Sequence, residues 1–151
     1  MTLEQLQSIF PDASLDTWHQ HLNGGGWVEN TASVAESALV WGEARVYGNA
    51  RVYGNTQVWG NALVGGEARV SGNAWSFSPL QIQGSKHYLN VSAYGYLQIG
   101  CHNNPIEWWL KHYKAVGRKE GYTPEEIKEY GELIFIAHRW MKMKGVDKAT
   151  S

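Results

Sequence analysis

The sequence predicts a mainly β chain whose middle third is a coil of short parallel strands, preceded by a small cap and followed by a β-hairpin and two helices. Three observations predict it. Valine recurs every six residues, at Val28, Val34, Val40, Val46, Val52, Val58, Val64 and Val70. Four positions after each stands a small residue: Ala32, Ala38, Ala44, Ala50, Thr56, Ala62, Ala68 and Ala74. From Gly42 to Gly72, every position two after a valine is glycine. A six-residue period fits neither the helical repeat of about 3.6 nor the alternation of a simple strand. A strict short period marks a unit that stacks on copies of itself. Six residues make one short strand and one corner, so three units make a triangular turn of eighteen residues. The valine points inward and the small residue fits the crowded corner. Gly-Asn pairs (Gly48-Asn49, Gly54-Asn55, Gly60-Asn61, Gly72-Asn73) supply turn residues that tolerate positive φ. The resulting division is an N-terminal cap over residues 1–27, repeats over 28–84, and a hairpin with two helices over 85–151.

Residues on either side of each valine are expected to point outward, and residues eighteen apart to share a face. One face then carries Trp27, Glu29, Arg45, Tyr47, Leu63 and Gly65. A second carries Ser33, Ala35, Arg51, Tyr53, Arg69 and Ser71, and a third Leu39, Trp41, Gln57, Trp59, Trp75 and Phe77. The third is too aromatic to stay wet, since each tryptophan hides on the order of 150–250 Å² when buried. Leu39, Trp41, Trp59, Trp75 and Phe77 are therefore the expected oligomer interface, with the chain's own terminal segments as the alternative cover. Arg45, Tyr47, Arg51, Tyr53 and Arg69 are the expected ligand-binding residues. Guanidinium groups grip phosphate or carboxylate bidentately, and aromatic faces stack bases or sugars. Pairing of these arginines with Glu36, Glu43 or Glu67 is the ordinary alternative.

The flanks carry clear local signals. Thr2 with Gln5 forms a capping box for a helix through Ile9, ended by Pro11. His19 and His21 are half of a metal site at most, because no further ligand has a recognisable spacing. A hydrogen-bonding role in the cap is expected of them. Ile82 with Gly84 is expected to close the last coil, and Lys86 to Gly100 to form a β-hairpin turning near Ala93-Tyr94-Gly95. Asn104-Pro105 opens a helix with Ile106, Trp109, Leu110 and Tyr113 on its inner stripe, ending at Gly117 or Gly121. Thr123-Pro124-Glu125-Glu126 opens a second, with Ile127, Tyr130, Ile134, Ala137 and Met141 inside and Gly145 as its stop. Cys101 lies just before the first of these helices, beside His102. Neighbours in an extended segment face opposite ways, so the two make a poor catalytic dyad, and a small buried residue is expected.

Bulk properties exclude several classes. A net charge of −1 argues against bulk nucleic-acid binding. A single cysteine rules out an internal disulfide and suits a reducing cytoplasm. Nowhere is there an apolar run near the eighteen residues of a membrane span.

The repeats resemble the left-handed parallel β-helix of hexapeptide-repeat proteins, and the expected handedness is taken from that resemblance. Nearly the whole chain is similar to a group of small phage and prophage proteins with such repeats. The similarity is carried by Asp16-Thr17-Trp18-His19-Gln20-His21, Asn23-Gly24-Gly25-Gly26-Trp27-Val28, Gln83-Gly84-Ser85-Lys86-His87, Ile99-Gly100-Cys101-His102 and Gly121-Tyr122-Thr123 through Glu129-Tyr130-Gly131. It implies a homotrimer acting in the host cytoplasm. The expected function is non-enzymatic, with no cofactor, metal or catalytic set: capture of a phosphorylated or nucleotide signal as a counter-defence protein. The alternative is a protein–protein inhibitor of a host defence complex, or a virion accessory protein. A hexapeptide acyltransferase ranks last, because such enzymes place a histidine in or beside the coils and residues 28–85 contain none.

Overall fold

The structure, a computed structural model, describes residues 1–149. Its contacts divide the chain into two compact units, Met1–Pro79 and Leu80 onward. Among the described residues no helix is long and apolar enough to cross a membrane.

The first unit opens with α1 (Leu3–Gln7), capped by the reciprocal Thr2–Gln5 box. Ten short strands follow: β1 (Trp18–Gln20), β2 (Trp27–Glu29), β3 (Ser33–Val34), β4 (Leu39–Val40), β5 (Arg45–Val46), β6 (Arg51–Tyr53), β7 (Gln57–Val58), β8 (Leu63–Val64), β9 (Arg69–Ser71) and β10 (Ala74–Trp75). They make three sheets ordered β1-β2-β5-β8, β3-β6-β9 and β10-β7-β4. The second unit holds a fourth sheet and two long helices. This overturns the expected left-handed parallel β-helix. The strands are distributed over four separate sheets, one mixed and one wholly antiparallel, and none closes or winds on as a solenoid. From β4 to β9 each hexad contributes two or three strand residues before a left-handed glycine such as Gly48 (φ 65°) or Gly60 (φ 63°) turns the chain.

The six-residue spacing nonetheless sets the pairing inside the first unit. Trp27 aligns with Arg45 and Arg45 with Leu63, while Ser33 aligns with Arg51 and Arg51 with Arg69. Val28, Val40, Val46, Val52, Val58, Val64 and Val70 are all at most 1 % exposed, and Ala38, Ala44, Ala50, Ala62 and Ala68 are buried beside them. The last strand breaks the spacing. Gly72 and Asn73 both take positive φ (70° and 65°), so β10 starts one residue early and Trp75 aligns with Val58. A one-residue slip turns a strand's side chains over. Trp75 is therefore fully buried in the row of inward valines, not on the outward face where the sequence placed it.

The N-terminal cap covers the outward face of β2 and β5. β1 extends that sheet antiparallel, with His19 opposite Val28. Leu6, Ala13, Trp18 and Trp27 form one apolar cluster, with Met1, Leu3, Phe10 and Tyr47 packed on it. Trp27 Nε1 donates to the Met1 carbonyl at 2.8 Å, and Phe10 lies 4.9 Å from the Trp18 ring and 5.2 Å from Tyr47. His21 is buried, its Nε2 2.8 Å from the Ala38 carbonyl, while His19 meets Asn30. The two histidines thus have different partners, His19 within β1 and His21 just past its end.

In the second unit β11 (Gln81–Gln83), β12 (Tyr88–Ala93), β13 (Tyr96–Ile99) and β14 (His102–Pro105) form an antiparallel meander in sequence order. The expected hairpin is β12–β13, turning through Gly95 at φ 84°. Gln81–Gln83 does not close a coil; it pairs antiparallel with β12. Asn104-Pro105 ends β14, and α2 runs Ile106–Lys119. Gly117 does not stop that helix. It is buried where a Cβ would stand 2.7 Å from Ile127, so it sets the close approach of α2 to α3 (Pro124–Lys144). Thr123 and Glu126 cap α3 reciprocally, Gly145 stops it at φ 69°, and Tyr130, Ile134, Ala137 and Met141 are its buried face.

Candidate functional sites

The five expected ligand residues separate into two places. Arg51 and Tyr53 lie on β6, both exposed, and with Thr31, Ser33, Asn49 and Ala50 they line an open groove of about 390 Å³. Arg69 continues the column below Arg51, and Ser71 lies below Tyr53. The groove joins one cation, one phenol ring, two hydroxyls and one amide. Arg51 has no ion pair with Glu36, Glu43 or Glu67 among the described residues. An unpaired guanidinium at a concave surface keeps its whole donor fork for an incoming anion.

Arg45 and Tyr47 are elsewhere, under the cap. The Tyr47 ring lies on Gly65, where a Cβ would come within 2.1 Å of it. Arg45 is only 7 % exposed, and its Nε and Nη1 have no hydrogen-bond partner among the described residues. Sequence reasoning set it on an open face because it did not foresee that residues 1–20 fold over β2 and β5. Buried donors left unpaired on a cation are costly, and an apolar side chain of similar length removes that cost. Arg45→Met is therefore expected to stabilise the first unit by about 1–3 kcal/mol, read as a higher denaturation midpoint. A loss of stability in chemical denaturation would show that an acceptor does reach this guanidinium.

The second place where polar chemistry gathers is a cleft in the second unit, and sequence reasoning missed it. Three stretches outside the repeats converge there: Gly84–His87, Gly100–His102 and Glu120–Tyr122. Its apolar wall is Ile99, Trp109, Val116, Ile127 and Ile134, around a cavity of about 50 Å³. Its rim carries His87, Cys101, His102, Glu120 and Tyr122, and Cys101 is exposed there, not buried as expected. The His87 loop is firmly held. Tyr130 Oη accepts from the Lys86 and His87 amides at 3.0 and 2.6 Å and donates to the His87 carbonyl at 2.9 Å. The Ser85 amide donates to Glu129 at 2.9 Å, and the Ser85 hydroxyl donates to the same carboxylate. Only glycine fits at position 84, where a Cβ would lie 2.4 Å from Tyr130 Oη.

The Tyr122 hydroxyl bonds His87 Nδ1, and the two rings stack at 5.7 Å with 12° between their planes. Burial first, then the field of Tyr130 and of Glu120, Glu126 and Glu129, pushes the Tyr122 phenol up to about 12, so it stays protonated. His102 Nε2 is 2.9 Å from Glu120 Oε1, and that hydrogen bond holds the Glu120 carboxyl below the usual carboxylate range. Among the described residues no three His, Cys, Asp or Glu side chains are grouped to hold a metal. The signal that could have found the cleft was the concentration of histidine, glycine and cysteine in three short stretches that no repeat explains.

No family model matches this chain, and neither a curated protein sequence nor a solved structure does.

Proposed function

We propose that this protein is a non-enzymatic binding protein that captures a phosphorylated small molecule, such as a nucleotide signal, in the groove beside β6. One observation carries the reading: Arg51 is exposed, unpaired among the described residues and set in a concavity next to Tyr53. The guanidinium would take a phosphate, the phenol ring would stack a base or sugar, and Thr31, Ser33 and Asn49 offer hydrogen bonds around them. The counter-defence role in a host cytoplasm follows from the similarity to phage proteins. A homotrimer belongs to the same reading. The Trp41 indole is 40 % exposed and stacks on Trp59 at 5.2 Å and 6°, an apolar surface that contact between copies would remove from water. Trp75, turned inward, is not part of that surface, and Phe77 packs edge-on against Trp75.

Native mass spectrometry with a panel of linear and cyclic nucleotides tests both parts. Trimers carrying discrete ligand masses are expected. Arg51→Ala should weaken the captured nucleotide by about 10- to 100-fold, the loss of one charge-assisted interaction, and leave the thermal midpoint nearly unchanged. Bare protein throughout the panel would sink the nucleotide reading in favour of protein–protein inhibition.

A further inference from the structure

We propose that the cleft of the second unit is a separate binding site, for a small uncharged molecule with a short acyl chain. Its alkyl part enters the apolar cavity, and its carbonyl oxygen accepts a hydrogen bond from His87 Nε2. Two features of the cleft lead to this ligand class.

The first is size and lining. Ile99, Trp109 and Ile134 are at most 7 % exposed and wall the cavity with carbon. An apolar cavity of about 150 Å³ accepts benzene. The cavity here, about 50 Å³, is too small for a ring and matches a chain of a few carbons. A purely aqueous filling would place water against apolar walls that offer it few partners.

The second is the orientation of one donor at the mouth. Taken as the donor in its bond to His87 Nδ1, the protonated Tyr122 hydroxyl places the imidazole proton on Nε2. That nitrogen has no partner among the described residues, although Nδ1, the backbone amide and the carbonyl of His87 are all engaged. The ring is held further by Gly100, whose Cβ, if present, would stand 3.0 Å from His87 Cδ2. A loop tied down by Tyr130 and Glu129, with one imidazole donor left open beside an apolar hole, is a preorganised acceptor-binding site. The ligand carries no negative charge because Glu120, at the same rim, is a carboxylate and repels an anionic head, while its hydrogen bond from His102 already occupies Oε1.

The test uses the full chain and a series of primary amides, followed by the methyl signals of Ile99, Ile127 and Ile134 and the Trp109 indole signal in NMR titrations. Ethanamide, propanamide and butanamide should shift those signals together. Affinity should rise about fourfold per methylene, the fold-change that corresponds to about 0.8 kcal/mol for each buried CH₂. Benzamide and octanamide should gain nothing further, and butanoate should bind at least tenfold more weakly than butanamide. Tyr122→Phe, which removes the hydroxyl and keeps the ring, should weaken butanamide several-fold while the isoleucine methyl dispersion is retained. The proposal is overturned if the methyl signals stay still at saturating butanamide, if affinity climbs on through octanamide, or if butanoate binds as well as the amide. Because Arg51 lies outside this cleft, Arg51→Ala should leave the butanamide titration unaltered, which keeps this outcome independent of the nucleotide experiment.

Discussion

Trp75→Ala should destabilise the first unit by about 3–5 kcal/mol, the usual cost of truncating a fully buried tryptophan. The side chain occupies the position that valine holds in the preceding repeats, aligned with Val58. It is fully buried and meets Phe77 edge-on at 5.9 Å. Alanine there leaves a void that short, turn-bounded strands can only partly collapse into. The comparison that makes the experiment decisive is Trp41→Ala. Trp41 is 40 % exposed, and its loss should cost well under half as much in the isolated chain. Denaturant melts of the two variants, followed through a probe in the first unit, separate an inward Trp75 from an outward one. Equal, small losses would restore Trp75 to the outward face and remove the register slip at Gly72-Asn73.

Tyr130→Phe should cost the second unit about 2–5 kcal/mol although it removes a single oxygen atom. The hydroxyl satisfies two backbone N–H groups and one carbonyl of Lys86 and His87. Tyr130 itself is 3 % exposed, so water does not readily take its place. Each backbone group left unsatisfied costs about 1–3 kcal/mol. The variant should also loosen the Gly84–His87 loop, seen as faster amide hydrogen exchange at Lys86 and His87 and as a change at the His87 ring signals. Unchanged exchange at those two amides would mean that the loop is held by Ser85 and Glu129 alone.

Much of the local structure was legible in the chain. The capping boxes at Thr2 and Thr123, the stop at Gly145 and the β12–β13 hairpin depend on neighbours within a few residues, and they form as read. The inward valines were legible for a different reason: a repeated spacing imposes the same environment on each copy. Arg51, Tyr53 and Arg69 share one face by that spacing too. What spacing did not reveal is where a repeat ends. Gly72-Asn73 reads like the three earlier Gly-Asn turns, yet here both residues are left-handed, and the one-residue slip buries Trp75.

Sequence by itself determined the elements whose causes are local or periodic: caps, turns, valine rows and helix faces. Only tertiary structure decided the rest. It divided the strands among four sheets instead of one coil, because two- and three-residue strands pair only with the strand brought beside them. It folded residues 1–20 over β2 and β5, taking Arg45 and Tyr47 out of the expected binding surface. It also gathered His87, Cys101, His102, Glu120 and Tyr122 around one cavity. Those residues come from three stretches with no shared period, and their meeting depends on strand order and on how closely α2 approaches α3 at Gly117. Such long-range packing is a property of the whole folded unit, and no window of sequence contains it.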